Sequence, residues 1–438
     1  MNAVRLPALV VIIALIVGAF VFQVKTEEEV SQREEPLAYS ELSFGLPVEE
    51  TSGNVWFCLG PTNKLDGVND QTINITNLSS IGTEGLKWTI SDSEGNVAER
   101  AIQVEGKSQL EILTSQEKDT AEYVGVTLEA PAGDILVDQY LEASEYSGLD
   151  RGFCGTTTSS SWVVPWGTTE RPGVKQTLLL YNPFQATAVA DLLFVGDQGL
   201  RETLDSQGIV IPGRSVVAYE LTERIPDALL LSSYIEVRTG QLVVSGLSIA
   251  DGTAPSEIKG LSIVPGSPEI GGDLFLSGSD GEQTPGAVVI VNPSQLVVEA
   301  ELVVRPGDPD LFVEPFGFVL RSGQRQVIEL SDHPRLEGIG AYSLYIRSLD
   351  NSNLSASYIQ RFIPSSVSED PEGATTTGLD VLPAVGYGAT YWLAKVLGSP
   401  GNPAKLTIFN PSLKSIAAIN LWTEDEVTLP DSFELDPG

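Results

Sequence analysis

Apolar residues recur along this chain in two patterns, and both describe strands. Short continuous runs, such as Leu178-Leu-Leu-Tyr181 and Val288-Val-Ile-Val291, end on asparagine. Longer stretches, such as Ala188-Val-Ala-Asp-Leu-Leu-Phe194 and Val298-Glu-Ala-Glu-Leu-Val-Val304, alternate apolar with other positions. Alternation turns every second side chain toward a partner sheet and the rest toward water. The two patterns belong to one unit that occurs four times. An apolar or aromatic strand leads through a Gly-rich turn to a strand ending on Asn, usually Asn-Pro, and an alternating strand follows. The copies read Trp56-Phe-Cys to Asn77, Trp162-Val-Val to Asn182-Pro183, Leu274-Phe-Leu to Asn292-Pro293, and Trp392-Leu-Ala to Asn410-Pro411. The asparagines lie 105, 110 and 118 residues apart, a period suited to one small β-sandwich of about 100 residues.

Three copies continue into a tight hairpin: Val104-Glu-Gly-Lys, Ile211-Pro-Gly-Arg and Leu320-Arg-Ser-Gly. Glycine there is expected to supply the positive φ of a primed or type II turn. The strand count per unit predicts an all-β chain of tandem immunoglobulin-like β-sandwich domains after an N-terminal transmembrane helix. The expected order is a membrane anchor or signal segment at 1–25, a charged stalk at 26–54, and sandwiches at 55–154 and 155–251. A linker at 252–272, a third sandwich at 273–364, a linker at 365–390 and an incomplete fourth sandwich at 391–438 complete it. The fourth copy stops where the others form their hairpin. It therefore reads as part of a longer frame or, as the rival reading, a partial domain completed by a partner strand.

The N-terminus sets the expected compartment. Leu6 to Phe22 carries no charge and lies between Arg5 and Lys25. Its 17 residues are at the short end of a membrane span of about 20 and long for a signal-peptide core. The expected location is a single-pass membrane protein with residues 26–438 outside the cytoplasm, or a secreted chain if Val17-Gly18-Ala19 is cleaved. An exported pair of cysteines most simply forms one disulfide, so Cys58 and Cys154 are expected to tie the ends of the first sandwich together. The net charge of −34 repels phosphate backbones, which argues against nucleic acid as a partner, and its plain consequence is solubility.

Candidate chemistry is thin. Asn accepts backbone hydrogen bonds in turns and Pro presets φ, so the Asn-Pro repeats read as structural, the more so because the first copy has Leu78 in place of proline. Tryptophan on an early strand is ordinarily core. The functional alternative is a sugar-stacking platform, for which Trp162 and Trp166 are the candidates. His333, the single histidine, falls in a turn with no nucleophile motif beside it. Gly106-Lys107-Ser108 mimics the end of a phosphate loop but belongs to a hairpin. Three oxygen-rich loops, Asp66 to Asp70, Asp280 to Glu282 and Asp350 to Asn353, do not match the twelve-residue calcium pattern. No catalytic residue, cofactor or metal site is expected.

The apolar strand, Asn-Pro and alternating strand, with Trp162 to Thr168 ahead of them and Phe153-Cys-Gly-Thr beside Leu180-Tyr-Asn-Pro183, resemble an uncharacterised family of actinobacterial exported proteins. The resemblance implies a membrane segment followed by β-sandwich repeats, no assigned activity, and a link to cell-surface glycans through neighbouring envelope glycosyltransferases. The function expected is a non-enzymatic structural or interaction role at the cell envelope, with envelope proteins or glycans as partners. The alternative is a carbohydrate-binding array acting through Trp162 and Trp166.

Overall fold

The computed structural model describes residues 54–117, 121–131, 135–143, 148–196, 199–268, 272–276, 278, 286–308, 310–331, 333–362, 378–386, 410, 417–419 and 433–435. The Leu6–Phe22 segment, the stalk up to residue 53, Asp280 to Glu282 and Trp392 lie outside them. Among the described residues regular structure is strand apart from two short 3₁₀ turns, and no helix there is long and apolar enough to cross a membrane.

The first sandwich contains β1 (Asn54–Pro61), β2 (Asp70–Asn77), β3 (Thr83–Asp92), β4 (Val97–Val104), β5 (Ser108–Leu113), β6 (Tyr123–Ala130), β7 (Ile135–Ala143) and β8 (Gly148–Phe153). The second contains β9 (Ser161–Val164), β10 (Val174–Asn182), β11 (Ala188–Gly196), β12 (Gly199–Arg201), β13 (Ile209–Ile211), β14 (Ser215–Glu220), β15 (Ser232–Thr239), β16 (Val243–Asp251) and β17 (Lys259–Pro265). The third contains β18 (Asp273–Leu276), β19 (Gly286–Val291), β20 (Val298–Pro306), β21 (Phe316–Leu320), β22 (Arg325–Glu329), β23 (Tyr342–Ser348), β24 (Ser355–Phe362) and β25 (Gly378–Pro383). Of the fourth copy, β26 (Ala417–Ile419) and β27 (Phe433–Leu435) form one antiparallel pair.

The three sandwiches share one topology. Their first sheets run β1-β6-β3-β4, β9-β15-β11-β12 with β13 also on β11, and β18-β23-β20-β21. Their second sheets run β5-β2-β7-β8, β14-β10-β16-β17 and β22-β19-β24-β25. The pairings of second with fifth strand and third with sixth are those of an immunoglobulin sandwich. In that fold, however, the first strand pairs with the second and the last with the sixth. Here the first strand pairs with the sixth and the seventh with the second, so the unit is an antiparallel sandwich with its own strand order. The linkers expected at 252–272 and 365–390 contain β17 and β25, the eighth strands of their sandwiches. Proline, glycine and polar residues around Ala254-Pro-Ser and Glu369 to Thr377 concealed these short strands within stretches that read as loop.

Each core lies between the two sheets of a sandwich. Trp56, Ile73, Ile75, Trp88, Val126 and Val137 pack in the first, and Trp162, Leu178, Leu180, Leu192, Phe194 and Ile235 in the second. The register Trp56↔Leu128, Trp162↔Ile235 and Leu274↔Ile346 makes Leu274, itself fully buried, the counterpart of the two tryptophans. An apolar side chain of either kind fills that position, which is why the third copy can do without tryptophan.

The hairpin turns differ from expectation in one detail. The positive φ falls on the residue after the glycine, at Lys107 (54°) and Arg214 (53°), and on glycine itself only at Gly323 (66°). Gly106 and Gly213 serve close approach instead: a Cβ on them would stand 2.4 Å from Ser80 and 2.0 Å from Gln185 backbone atoms. The third copy has Ser322 at the close-approach position and moves glycine to the left-handed one.

Candidate functional site

The described residues singled out by repetition hold structure together, most of them within one sandwich, and apolar seams join each sandwich to the next. The asparagines are the clearest case. Asn182 Nδ2 donates to the carbonyls of Ala186 (2.7 Å) and Ile211 (3.1 Å), and its Oδ1 accepts from the Phe184 amide (3.1 Å). Asn77 makes the same three contacts with Ile81, Val104 and Ser79, and Asn292 with Leu296, Leu320 and Ser294. One side chain thus closes its own turn and pins it to the hairpin of the opposite sheet. Proline plays no part in these bonds, consistent with Leu78 in the first copy.

Cys58 and Cys154 are joined as expected, 96 residues apart, and both are buried in the first core. Trp162 and Trp166 are each 3% exposed, so neither ring offers a face on which a sugar could stack. Trp162 points into the second core and donates from Nε1 to the Leu242 carbonyl at 3.1 Å. Trp166 lies in the seam between the second and third sandwiches. His333 Nδ1 accepts from the Arg335 amide at 3.2 Å, starting the 3₁₀ turn Pro334–Leu336, and its ring meets the Phe316 edge. Lys107 donates to the Leu78 carbonyl across the first hairpin. Asp70 and Asp350 are taken up by local serine, threonine and backbone donors, among them Ser115 and Ser348. No group of three or more potential metal ligands occurs among the described residues.

The seams are apolar. Continuous runs such as Leu178 to Tyr181 are buried on both faces: Leu178 and Leu180 point into the second core, while Leu179 and Tyr181 point outward onto the first sandwich. There Phe57, Leu59, Tyr123 and Leu141 meet Leu179, Tyr181, Val216, Leu247 and Ile249. A Cβ on Gly125 would lie 2.6 Å from the Tyr181 ring, and Thr127 Oγ1 shares a hydrogen bond of 2.8 Å with the Tyr181 hydroxyl. The next seam repeats the arrangement, with Val163, Trp166 and Val264 against Val289, Val291, Ile359 and Val381. Arg325 fastens it by donating to the carbonyls of Val195 (2.6 Å) and Leu230 (2.7 Å). In the first sandwich the positions of Leu179 and Tyr181 are Asn74 and Thr76, so that face is polar.

Along one side of the seams the three eighth strands lie next to one another, β17 against both β8 and β25. Their sequences are a short repeat, Gly148-Leu149-Asp150, Gly260-Leu261-Ser262 and Gly378-Leu379-Asp380, which the longer Asn-Pro pattern overshadowed. Gly148 and Gly152 admit β17, whose Leu261 and Ile263 would press within 3.4 Å of an added Cβ. Asp150, almost fully buried, accepts from the Ile263 amide and so occupies a donor on the open edge of β17. Burial raises the Asp150 carboxyl far above the ordinary carboxylate range, and the charge of Asp380 raises it further. Desolvation raises Asp380 in turn. Between the first and second sandwiches there is also a cleft of about 310 Å³ walled by Leu65, Asp66, Glu122, Gly173, Lys175, Ile249 and Asp251. Its carboxylates and the ammonium of Lys175, 3.9 Å from Glu220, make it polar and charged.

A family model described as a family of unknown function, DUF5719, matches residues 114–335, just over half of the chain. The match starts after β5 and ends after β22, so it takes in the whole second sandwich and its side of both seams. No curated protein and no solved structure matches the chain. The extent of the family match makes this chain a member of the family of unknown function DUF5719.

Proposed function

We propose that this chain is a non-enzymatic, extracytoplasmic spacer at the cell envelope, held to the membrane by the Leu6–Phe22 segment and presenting envelope proteins or glycans with a stiff row of sandwiches. The observation that carries the reading is the pair of apolar seams. Linked but independent domains meet through modest, rather polar contacts and move relative to one another. Here apolar patches of facing sheets are buried at two joints, with Tyr181 and Arg325 bonded across them. A structure of that kind transmits position along its length. The buried Cys58–Cys154 bond supports an oxidising compartment, since structural disulfides persist chiefly outside the cytoplasm.

The test is fractionation of cells expressing the full chain. Membranes are washed with carbonate, intact cells are treated with protease, and thiols are tagged by maleimide before and after reduction. The reading expects a carbonate-resistant chain, cleaved from outside, with two thiols that react only after reduction. A chain in the cytoplasmic fraction with both thiols free would refute it. If glycans are the partner, co-sedimentation with envelope polysaccharide is expected to survive substitutions at Trp162 and Trp166 that leave the chain folded.

A further inference from the structure

The two seams are related residue by residue. Three isolated bridges, Phe57↔Gly155, Val163↔Ser267 and Phe275↔Val385, mark equivalent places on the three first strands. Their partners on the sixth strands are Thr127, Tyr234 and Tyr345. In the first seam Phe57 and Thr127 face Leu179 and Tyr181, which stand three and one residues before Asn182. In the second, Val163 and Tyr234 face Val289 and Val291, three and one before Asn292, and the Tyr234 hydroxyl reaches the Asn292 carbonyl at 3.5 Å. Each sandwich therefore presents the outer face of its first sheet to the second strand of the next. Such a head-to-tail contact uses two different surfaces and does not close on itself.

The third sandwich has the same presenting face. Phe275 and Tyr345 stack there with ring centroids 5.0 Å apart, and the Arg305 guanidinium lies 5.3 Å over the Tyr345 ring. Downstream, Asn410 is buried, and the antiparallel pair Ala417↔Leu435, starting seven residues after it, takes the place of Ala188↔Ile211 and Val298↔Leu320, which start six residues after Asn182 and Asn292. The residues three and one before Asn410 are Thr407 and Phe409. We propose that the face formed by Phe275 and Tyr345 is the docking surface for the fourth copy of the repeat in this same chain, which meets it through Thr407 and Phe409. Continuity with two established seams identifies the occupant, and Phe409 brings to it the aromatic character that Tyr181 brings to the first. The inference is independent of the compartment in which the chain resides.

The experiment is cross-linking in the full chain with a short bis-maleimide, which spans facing sheets and leaves the closed Cys58–Cys154 bond untouched. Tyr345→Cys with Phe409→Cys is compared with the known seam pair Thr127→Cys with Tyr181→Cys. The pair Val319→Cys with Phe409→Cys serves as the negative reference, because Val319 lies on β21, the edge strand two removed from the Tyr345 strand β23. The proposal expects a bridge within one chain for the first two pairs and none for the third, read by mass spectrometry of the linked peptides. A Tyr345–Phe409 pair that stays unlinked while the reference seam pair links would overturn it, as would linkage only between two chains. Phe275→Asp, which keeps Phe409 and Tyr345 in place, is expected to raise proteolysis between residues 387 and 416, whereas Val319→Asp does not. Equal cleavage of both variants and the parent chain would also overturn the proposal.

Discussion

Replacing Asn182 by alanine should cost more than a turn residue ordinarily does, because its amide serves two sheets at once. The substitution deletes two donated bonds and one accepted bond. Ala186 and Phe184 are exposed, so water can take over at their carbonyl and amide. The Ile211 carbonyl belongs to a residue with no exposure, and the bond it accepts is buried. Leaving such a group unpaired costs about 1–3 kcal/mol, while each solvent-reachable bond contributes about 0.5–1.5 kcal/mol before water compensates. The expected total is about 2–4 kcal/mol. Asn182→Asp separates the parts of this sum. The carboxylate can still accept from Phe184 but faces two carbonyl oxygens with a negative charge, so it should be at least as damaging at neutral pH and milder in acid, where the carboxyl can donate. Pro183→Ala, which removes none of these bonds, should cost little. Urea unfolding followed by far-UV circular dichroism on the full chain measures all three as shifts of midpoint. Asn182→Ala and Asn182→Asp both unfolding within about 0.5 kcal/mol of the parent, the range of an ordinary surface change, would refute the assignment of the repeated asparagine as a clamp between sheets.

Three further outcomes follow from the same structure. Opening the Cys58–Cys154 bond, by Cys58→Ser with Cys154→Ser, releases a loop of 96 residues and should destabilise the chain by about 2–5 kcal/mol, seen as a lower unfolding midpoint that reductant no longer changes. Asp150 has a folded-state pKa raised from 3.8 to about 8, so the stability it contributes is full below the ordinary carboxylate range and is lost as pH rises toward 8. Thermal unfolding should therefore fall in temperature between about pH 4 and pH 8, and Asp150→Asn, which cannot ionise, should flatten that dependence; an unchanged slope would count against the buried acid pair. Gly125→Ala places a Cβ 2.6 Å from the Tyr181 ring and should cost about 1–3 kcal/mol by overpacking, with increased hydrogen exchange in β10 and β14 as the sign that the first seam has loosened.

Strand alternation, the Asn-Pro period and the cysteine count were enough to foresee an all-β chain of sandwich repeats with one disulfide, because each of these features is local or depends on a repeat spacing. The strand order was not legible. Whether a first strand pairs with the second or the sixth depends on contacts between residues far apart in the chain, as at Phe57↔Thr127, and both choices leave the same alternation behind. The eighth strands β17 and β25 were lost among prolines and glycines, because the ladders that hold them, to β16 and β24, and their packing on neighbouring eighth strands are not visible in a short loop-like stretch. The same limit applied to Trp162 and Trp166. The sequence by itself determined that apolar side chains such as Leu178 to Tyr181 and Val288 to Val291 form strands, and a continuous run already signals burial on both faces. Only the tertiary structure decided what covers the second face. It is the neighbouring sandwich, and placing Leu179, Tyr181, Val289 and Val291 against it turned a series of repeats into one packed body and put Asp150 and Asp380 beside the same strand. Pairing between sheets of different repeats is a property of their surfaces in three dimensions, which no local pattern of hydrophobicity encodes.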